Sequence, residues 1–177
     1  MVNHTDTPAI IRYLKNTAEE LVIPIEQACN AMLQEGQDEI DGWSMISMSL
    51  LQITIQFTHV DEDFSDNEVY FLYNIIHNFF PDLDSPDFNE KQIREFVRQT
   101  INNNPQFYNN FESSVGVVSI LNIYDNLYDT DYADKAKAMF FQFANAVAKA
   151  DGKVTKDEKL LLKILVTLYP IEAKGGS

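Results

Sequence analysis

The sequence predicts an all-α protein: a compact bundle of about seven to nine helices with internal pseudo-twofold duplication, in one domain covering residues 1–177. Three observations support this fold class. Apolar residues recur at helical spacing along most of the chain, turns are marked by proline, glycine or runs of Asn and Asp, and one helix-start motif occurs twice. With 45% apolar and 23% charged residues, the chain has the composition of an ordinary globular domain.

The helix-start motif is a capping box. In each copy a hydroxyl residue, Ser65 or Thr155, stands three positions before a glutamate, Glu68 or Glu158. The hydroxyl accepts a hydrogen bond from the third amide of the helix, and the glutamate accepts one from the amide of the capping residue. The motif therefore predicts two helices that begin at these caps.

The two motifs share one spacing, which we call the 90-residue register, since 155 − 65 and 158 − 68 both equal 90. The same register relates Asp61 to Asp151 in the turns before the caps. We therefore predict two related halves, roughly 8–80 and 89–170.

The first helix is predicted to open with Thr7 as its cap and Pro8 at its first position. Pro24 is predicted to kink or break it, because proline lacks the amide hydrogen that a helix interior requires. An apolar face then continues to a turn at 35–38.

The segment 43–59 gives conflicting signals. Its apolar residues suit a helix, whereas residues 53–58 alternate between apolar and polar like a strand. Its counterpart in the 90-residue register, 133–149, is rich in alanine and keeps one apolar helical stripe. We therefore predict a helix for both segments.

The remaining helices follow from apolar periodicity and breakers. The predicted inward residues include Tyr73 in the capped helix 65–79, and Ile123 and Leu127 in a long segment from 106 to about 128. Between these two lies a helix that follows Asn89 and stops at Asn102. We expect the turn 129–131 to end the long helix and to cap the next. The last helix, 156–168, is nearly apolar, so we expect it to be mostly buried.

Charge and composition exclude several classes of partner. Thirteen basic and twenty-seven acidic residues give a net charge of −14, which repels nucleic acid and anionic membranes and favours a protein partner with a basic surface. No apolar run reaches the roughly twenty residues needed to cross a bilayer, so we expect no membrane insertion. One cysteine, Cys29, and the lack of a signal-peptide pattern lead us to expect a cytoplasmic location. The oligomeric state is left open.

The acidic turns have two interpretations. A standard EF-hand is excluded, because Val147 and Lys149 would occupy ligand positions one and three in the second copy. A weaker divalent-cation site built on clustered carboxylates is one interpretation. The other, which we favour, is that the carboxylates cap helices and complement helix dipoles. The candidate metal ligands are Asp61, Glu68, Asp151 and Glu158.

Motifs for catalysis are absent from the sequence. There is no glycine-rich phosphate loop, no His-Glu-x-x-His, no Cys-x-x-Cys and no nucleophile elbow. Cys29 lies on an apolar helical face and is predicted to be a buried core residue, and the histidines are isolated in sequence. We therefore predict no enzymatic activity, no catalytic residue and no cofactor other than a divalent cation.

Residues 143–158, with the apolar run 160–165, resemble the signature of the tellurite-resistance TerB-like family. That signature consists of an alanine-rich helix, an Ala-Asp-Gly turn, an aliphatic residue, Ser or Thr, and a glutamate that opens an apolar helix. The first copy is similar but degenerate, since Val60 stands at the alanine position and Glu62 at the glycine position.

The resemblance implies a non-enzymatic helical fold with internal pseudo-symmetry, found in stress-response or membrane-linked assemblies, with metal binding at the acidic turns. The residues that match the family pattern are Asp61, Glu68, Asp151 and Glu158. TerB-like domains also occur at the start of bacterial AAA-type ATPases, where they resemble adaptor or regulatory modules. This chain has no Walker motif, so it cannot itself hydrolyse ATP.

Three function hypotheses follow. The leading one is an acidic protein-interaction module, a regulatory or recognition domain of a larger ATPase or stress-response assembly, whose contact surface includes Asp82, Asp84 and Asp87. The alternative is a divalent-cation-binding protein of the tellurite-resistance type. A third, an all-helical metal-dependent hydrolase, would need a pocket that joins carboxylates from both halves.

Overall fold

A computed structural model describes residues 7–33, 38–59, 65–80, 89–103, 111–150 and 152–169, and within these residues every regular element is an α-helix. The predicted all-α class is therefore confirmed for this part of the chain. The seven helices are α1 (Thr7–Asn30), α2 (Gly42–His59), α3 (Asp66–Phe79), α4 (Glu90–Asn103), α5 (Glu112–Tyr128), α6 (Tyr132–Val147) and α7 (Lys156–Leu168).

Helix α1 continues through Pro24 to Asn30, so a break at this proline is wrong. Proline in a helix interior costs about 3 kcal/mol. Here the residues on both sides, including Leu21, Ile25 and Ala28, are buried in the core, and their burial offsets that cost. Tertiary packing thus holds the helix together where local propensity would end it.

Helix α2 lies at the centre of the bundle and packs against α1, α3, α5 and α6. Every residue from 49 to 58 is buried, which explains why its sequence lacks a polar face. Its buried hydroxyls bond to the helix's own carbonyls: Ser49 Oγ donates to the Met45 oxygen at 2.8 Å, and Thr54 Oγ1 to the Leu50 oxygen at 2.9 Å. The predicted helix is confirmed, and the strand-like alternation reflects burial on all sides.

Two apolar clusters form the core. The main core joins α1, α2, α5 and α6 with the inner faces of α3 and α7. A second cluster lies between α2, α3 and α4, and its buried members are Leu51, Ile55, Val69, Leu72, Ile76, Ile93 and Val97. Helix α4 thus covers a face of α3 that the main core does not reach.

The helix starts follow the 90-residue register. Helices α2 and α6 begin at Gly42 and Tyr132, and α3 and α7 begin at Asp66 and Lys156, so both pairs are 90 residues apart. Four positions of α2 in the main core have counterparts of α6 in the same core: Ile46 and Ala136, Leu50 and Phe140, Ile53 and Phe143, Phe57 and Val147. The pseudo-twofold relation between the halves stays a prediction.

Several predicted inward residues point outward instead. Tyr73 is 40% exposed, Ile123 46% and Leu127 70%. These positions lie on helix faces that no other described element covers, and the sequence pattern alone does not tell a covered face from an open one.

The cap of α6 also differs from the prediction. Asp131 occupies the capping position but its side chain makes no capping hydrogen bond. Asp125, at the end of α5, accepts hydrogen bonds from the amides of Tyr132 at 2.9 Å and Ala133 at 2.7 Å. Asp129 adopts the left-handed conformation, with φ of 54°, and this reverses the chain so that the Asp125 carboxylate reaches the next helix.

Replacing Asp125 by alanine is therefore expected to lower the free energy of unfolding by about 1–2 kcal/mol, because two helix-start amides lose their acceptor. Asp131→Ala is the matched control and is expected to change it by less than about 0.5 kcal/mol. Urea unfolding of both variants tests this. Equal losses of unfolding free energy in the two variants would contradict this, because Asp131 would then contribute to the cap as much as Asp125 does.

Candidate functional site

The two acidic corners have the same local geometry. The Glu68 carboxylate accepts a hydrogen bond from the Ser65 amide at 2.7 Å, and the Glu158 carboxylate accepts one from the Thr155 amide at 2.7 Å. In return each hydroxyl accepts from the glutamate amide, at 3.3 Å and 3.2 Å. Both predicted capping boxes are confirmed.

Both glutamates are buried, at 4% and 3% exposure. One oxygen of each carboxylate is bonded to its own cap, so these residues serve the helix starts. Their predicted companions Asp61 and Asp151 lie outside the described residues. Across the part of the chain that the structure describes, no group of three or more His, Cys, Asp or Glu side chains could hold a metal ion.

The predicted partner-binding residues Asp82, Asp84 and Asp87 also lie outside the described residues. The helix that follows them starts at a cap of its own. Asn89 Oδ1 accepts from the amides of Lys91 at 3.1 Å and Gln92 at 3.3 Å, while Gln92 Oε1 accepts from the Asn89 amide at 2.7 Å. The start of α4 is thus fixed without the acidic loop, which leaves that loop's role as a prediction.

Cys29 is buried, as predicted, with its thiol 3.9 Å from the Met45 sulfur. Desolvation raises the pKa of this thiol, which disfavours the reactive thiolate. His77 is exposed and its ring stacks on Tyr73 at 5.9 Å.

A groove of about 380 Å³ lies between α1 and α3, lined by Arg12, Lys15, Glu19, Asn74 and Asn78 among others. Its charged side chains carry both signs: Arg12 and Lys15 are positive and Glu19 is negative, and all three are exposed or half-buried. The residues that line it include no cysteine, histidine or serine.

Helix α7 carries the feature that the sequence prediction missed. Its buried residues are Glu158 and Leu165, so the expectation of a mostly buried helix is wrong. Exposed apolar side chains occupy two sides of it: Leu160 (55%), Ile164 (38%) and Leu168 (41%) on one side, and Val166 (51%) on the other. Isolated exposed apolar residues are normal, but several on one helix are typical of a contact surface.

The same helix carries positive charge in an acidic protein. Five of the thirteen basic residues fall within residues 149–163. Lys156, Lys159 and Lys163 are exposed and have no carboxylate partner among the described residues. Apolar side chains beside unpaired lysines would suit a partner that is itself amphipathic and acidic.

Tyr169 anchors the end of α7 in the core. Its ring lies 6.5 Å from that of Phe140, and its hydroxyl is buried with no hydrogen-bond partner among the residues that the structure describes. Desolvation raises the pKa of Tyr169. The Ser114 side chain offsets part of this rise, but its hydroxyl donates to the Phe111 oxygen at 3.1 Å. The core therefore holds the neutral phenol.

This burial predicts a loss of stability at alkaline pH. Below about pH 10 the phenol is neutral in both states, so it contributes no pH dependence. Above that pH the unfolded chain ionises while the folded chain does not, and the free energy of unfolding falls by up to about 1.4 kcal/mol per pH unit. Tyr169→Phe should flatten this slope in urea titrations between pH 8 and 11. Parallel curves for the two proteins would show that the phenol ionises freely in the fold.

Comparisons with known proteins give no relative. No protein-family model, curated protein or solved structure matches this chain. Among the described helices, none has the length and apolar character needed to span a membrane.

Proposed function

We propose that this chain is a non-catalytic protein-interaction module. The observation that carries the proposal is that α7 exposes apolar side chains on two sides, Leu160 and Ile164 on one and Val166 on the other. Its three lysines are exposed and have no carboxylate partner among the described residues. The apolar side chains would gain free energy by leaving water, at about 25 cal/mol per Å² of apolar area that a partner covers. A capping box fixes the start of α7, and Leu165 and Tyr169 bury its inner side in the main core.

The TerB-like resemblance suggests the setting of this module. In this proposal the chain is a regulatory or partner-recognition domain of a larger ATPase or a stress-response assembly. A second contact surface in the proposal is the acidic loop with Asp82, Asp84 and Asp87, which would attract a basic patch on a partner.

Affinity capture with surface variants tests the proposal. The wild-type protein is immobilised on a resin and incubated with an extract of its native cells. Three variants are treated in the same way: Val166→Asp, Leu168→Asp and the triple variant Asp82→Lys, Asp84→Lys, Asp87→Lys. At least one protein should be captured in stoichiometric amount by the wild type and lost with a variant whose melting temperature is unchanged. If the captured proteins are the same for all four baits, the proposal that this chain is a protein-interaction module is rejected.

The second candidate function is divalent-cation binding at the two corners. This candidate rests on the TerB-like resemblance and on the acidic residues of the two turns, Asp61 and Asp151. Calorimetry with calcium, magnesium, manganese and zinc tests it. If millimolar metal gives no binding heat and no shift in melting temperature, this function is rejected, because a ligand of the folded state must stabilise that state.

A further inference from the structure

Helix α3 and its counterpart in the 90-residue register, α7, differ in whether another helix covers their outer face. Helix α4 lies against α3 and places Ile93 and Val97, both buried, in the second cluster. The residues of α3 that receive them are Val69, Leu72 and Ile76. These three side chains pack in the second cluster between α2 and α4, and none of them belongs to the main core.

On α6 and α7 the counterparts of the cluster residues of α2 and α3 are exposed or half-buried. The 90-residue register relates Val69 to Lys159, Leu72 to Leu162 and Ile76 to Val166 on α7, and Leu51 to Phe141 on α6. Val166 is 51% and Phe141 40% exposed, Lys159 is exposed and Leu162 is half-buried. We name these four residues the α6/α7 groove.

The inner face of α7 behaves like that of α3, which supports the comparison. Phe71, Ile75 and Phe79 of α3 lie in the main core. Their counterparts are Leu161, which packs partly buried against that core, and Leu165 and Tyr169, which are buried in it. The two helices therefore present the same face inward, and they differ on the face that α4 covers.

The charge at the edge of the groove is reversed. Arg94 of α4 pairs with Asp66 of α3 at 2.6 Å. The counterpart of Asp66 is Lys156, and Lys159 and Lys163 lie on the same helix. A helix seated here as α4 is seated on α3 would place the residue after its first aliphatic anchor beside Lys156. That residue should be acidic.

We infer that the α6/α7 groove binds an amphipathic helix of another protein, in the place on α7 that corresponds to the place of α4 on α3. The occupant carries two aliphatic residues four positions apart, as Ile93 and Val97 are, and an aspartate or glutamate directly after the first. This inference rests on the proposed function and specifies its surface and the chemistry of its partner.

A peptide probe derived from α4 tests the inference. The peptide has residues 89–103 with Arg94→Glu, and a lactam bridge between Lys91 and Glu95, which are exposed in α4, holds it helical. The control peptide keeps Arg94. We expect the Arg94→Glu peptide to bind about three- to tenfold more tightly in fluorescence anisotropy, because attraction to Lys156 replaces repulsion.

Exchanging the charge on the protein should reverse this preference. With Lys156→Glu, the control peptide that keeps Arg94 is expected to bind more tightly than the Arg94→Glu peptide. Equal affinities of the two peptides for both proteins would overturn the inference, since the edge of the groove would then play no part.

Two variants of α7 locate the binding surface. Val166 and Leu168 are both exposed but lie on opposite sides of the helix, so either can become aspartate without loss of the fold, which circular dichroism verifies. Val166→Asp should weaken the peptide at least tenfold, and Leu168→Asp should leave binding within twofold. The reverse result would place the partner on the other side of α7 and overturn the inference.

Two other occupants would also overturn it. If Val166→Asp turns a dimer into a monomer in analytical ultracentrifugation, a second copy of this chain fills the groove. If the peptide binds only after residues 170–177 are removed, this chain's own segment fills it. Should the peptide fail while another surface variant loses a captured protein, the interaction module stands and only this groove is wrong.

Discussion

Replacing Phe57 by alanine is expected to lower the free energy of unfolding by about 3–5 kcal/mol, the largest effect among the variants considered. Phe57 is fully buried in the main core, and its ring lies 6.3 Å from that of Phe111 at the start of α5. Truncation removes apolar contact and leaves a cavity between two helices, which the surrounding residues fill only in part. The melting temperature should fall by about 10 °C.

Phe141→Ala is the matched control, because it removes the same group from a side chain that is 40% exposed. We expect a loss below about 1.5 kcal/mol there, since water already reaches the ring. The two variants thus separate stability from binding: Phe141→Ala should stay folded and lose affinity for the peptide. A loss at Phe57 of less than about 1 kcal/mol would contradict its place in the core.

Replacing Gly42 by alanine is expected to cost about 1–3 kcal/mol, because α1 and α2 meet at this residue without room for a side chain. A Cβ atom there would lie 2.7 Å from the Val22 carbonyl oxygen and 3.2 Å from the Val22 Cα. Both are backbone atoms, so the helices would have to move apart. The Gly42 amide also donates to Glu26 Oε1 at 3.2 Å, a bond that such a shift would weaken.

Gly116→Ala is the control for this variant. Gly116 lies inside α5, and an added Cβ would meet nothing within 4 Å. Alanine is a better helix former than glycine, so we expect a gain of about 0.5–1 kcal/mol. Urea unfolding of both variants measures the two signs side by side. A gain at Gly42 as well would show that the helices tolerate the methyl group.

Local chemistry in the sequence was enough to predict several elements. The hydroxyl and glutamate of each capping box lie three residues apart, so the local sequence is enough to predict that helices begin after Ser65 and Thr155. The repeat resolved α2, whose alternating sequence alone favoured neither helix nor strand. The burial of Cys29 followed from its place on an apolar stripe.

Contacts between residues distant in sequence could not be predicted from local patterns. The start of α5 has no capping side chain of its own; Gln52, 61 residues earlier on α2, accepts a hydrogen bond from the Ser113 amide at 3.1 Å. Asp125 caps α6 because a left-handed residue turns the chain back toward it. Neither pairing has a fixed sequence spacing, so no local pattern indicates it.

The sequence by itself determined the helical class, the two capped helix starts and their common spacing, because these depend on hydrogen bonds within a few residues. Tertiary structure alone decided which apolar faces are covered. Leu72 and Leu162 stand at equivalent positions, yet the first is buried and the second is half-buried. The reason is that a side chain is buried only where a second element packs on it. Helix α4 lies against α3, and no described helix takes the corresponding place on α7.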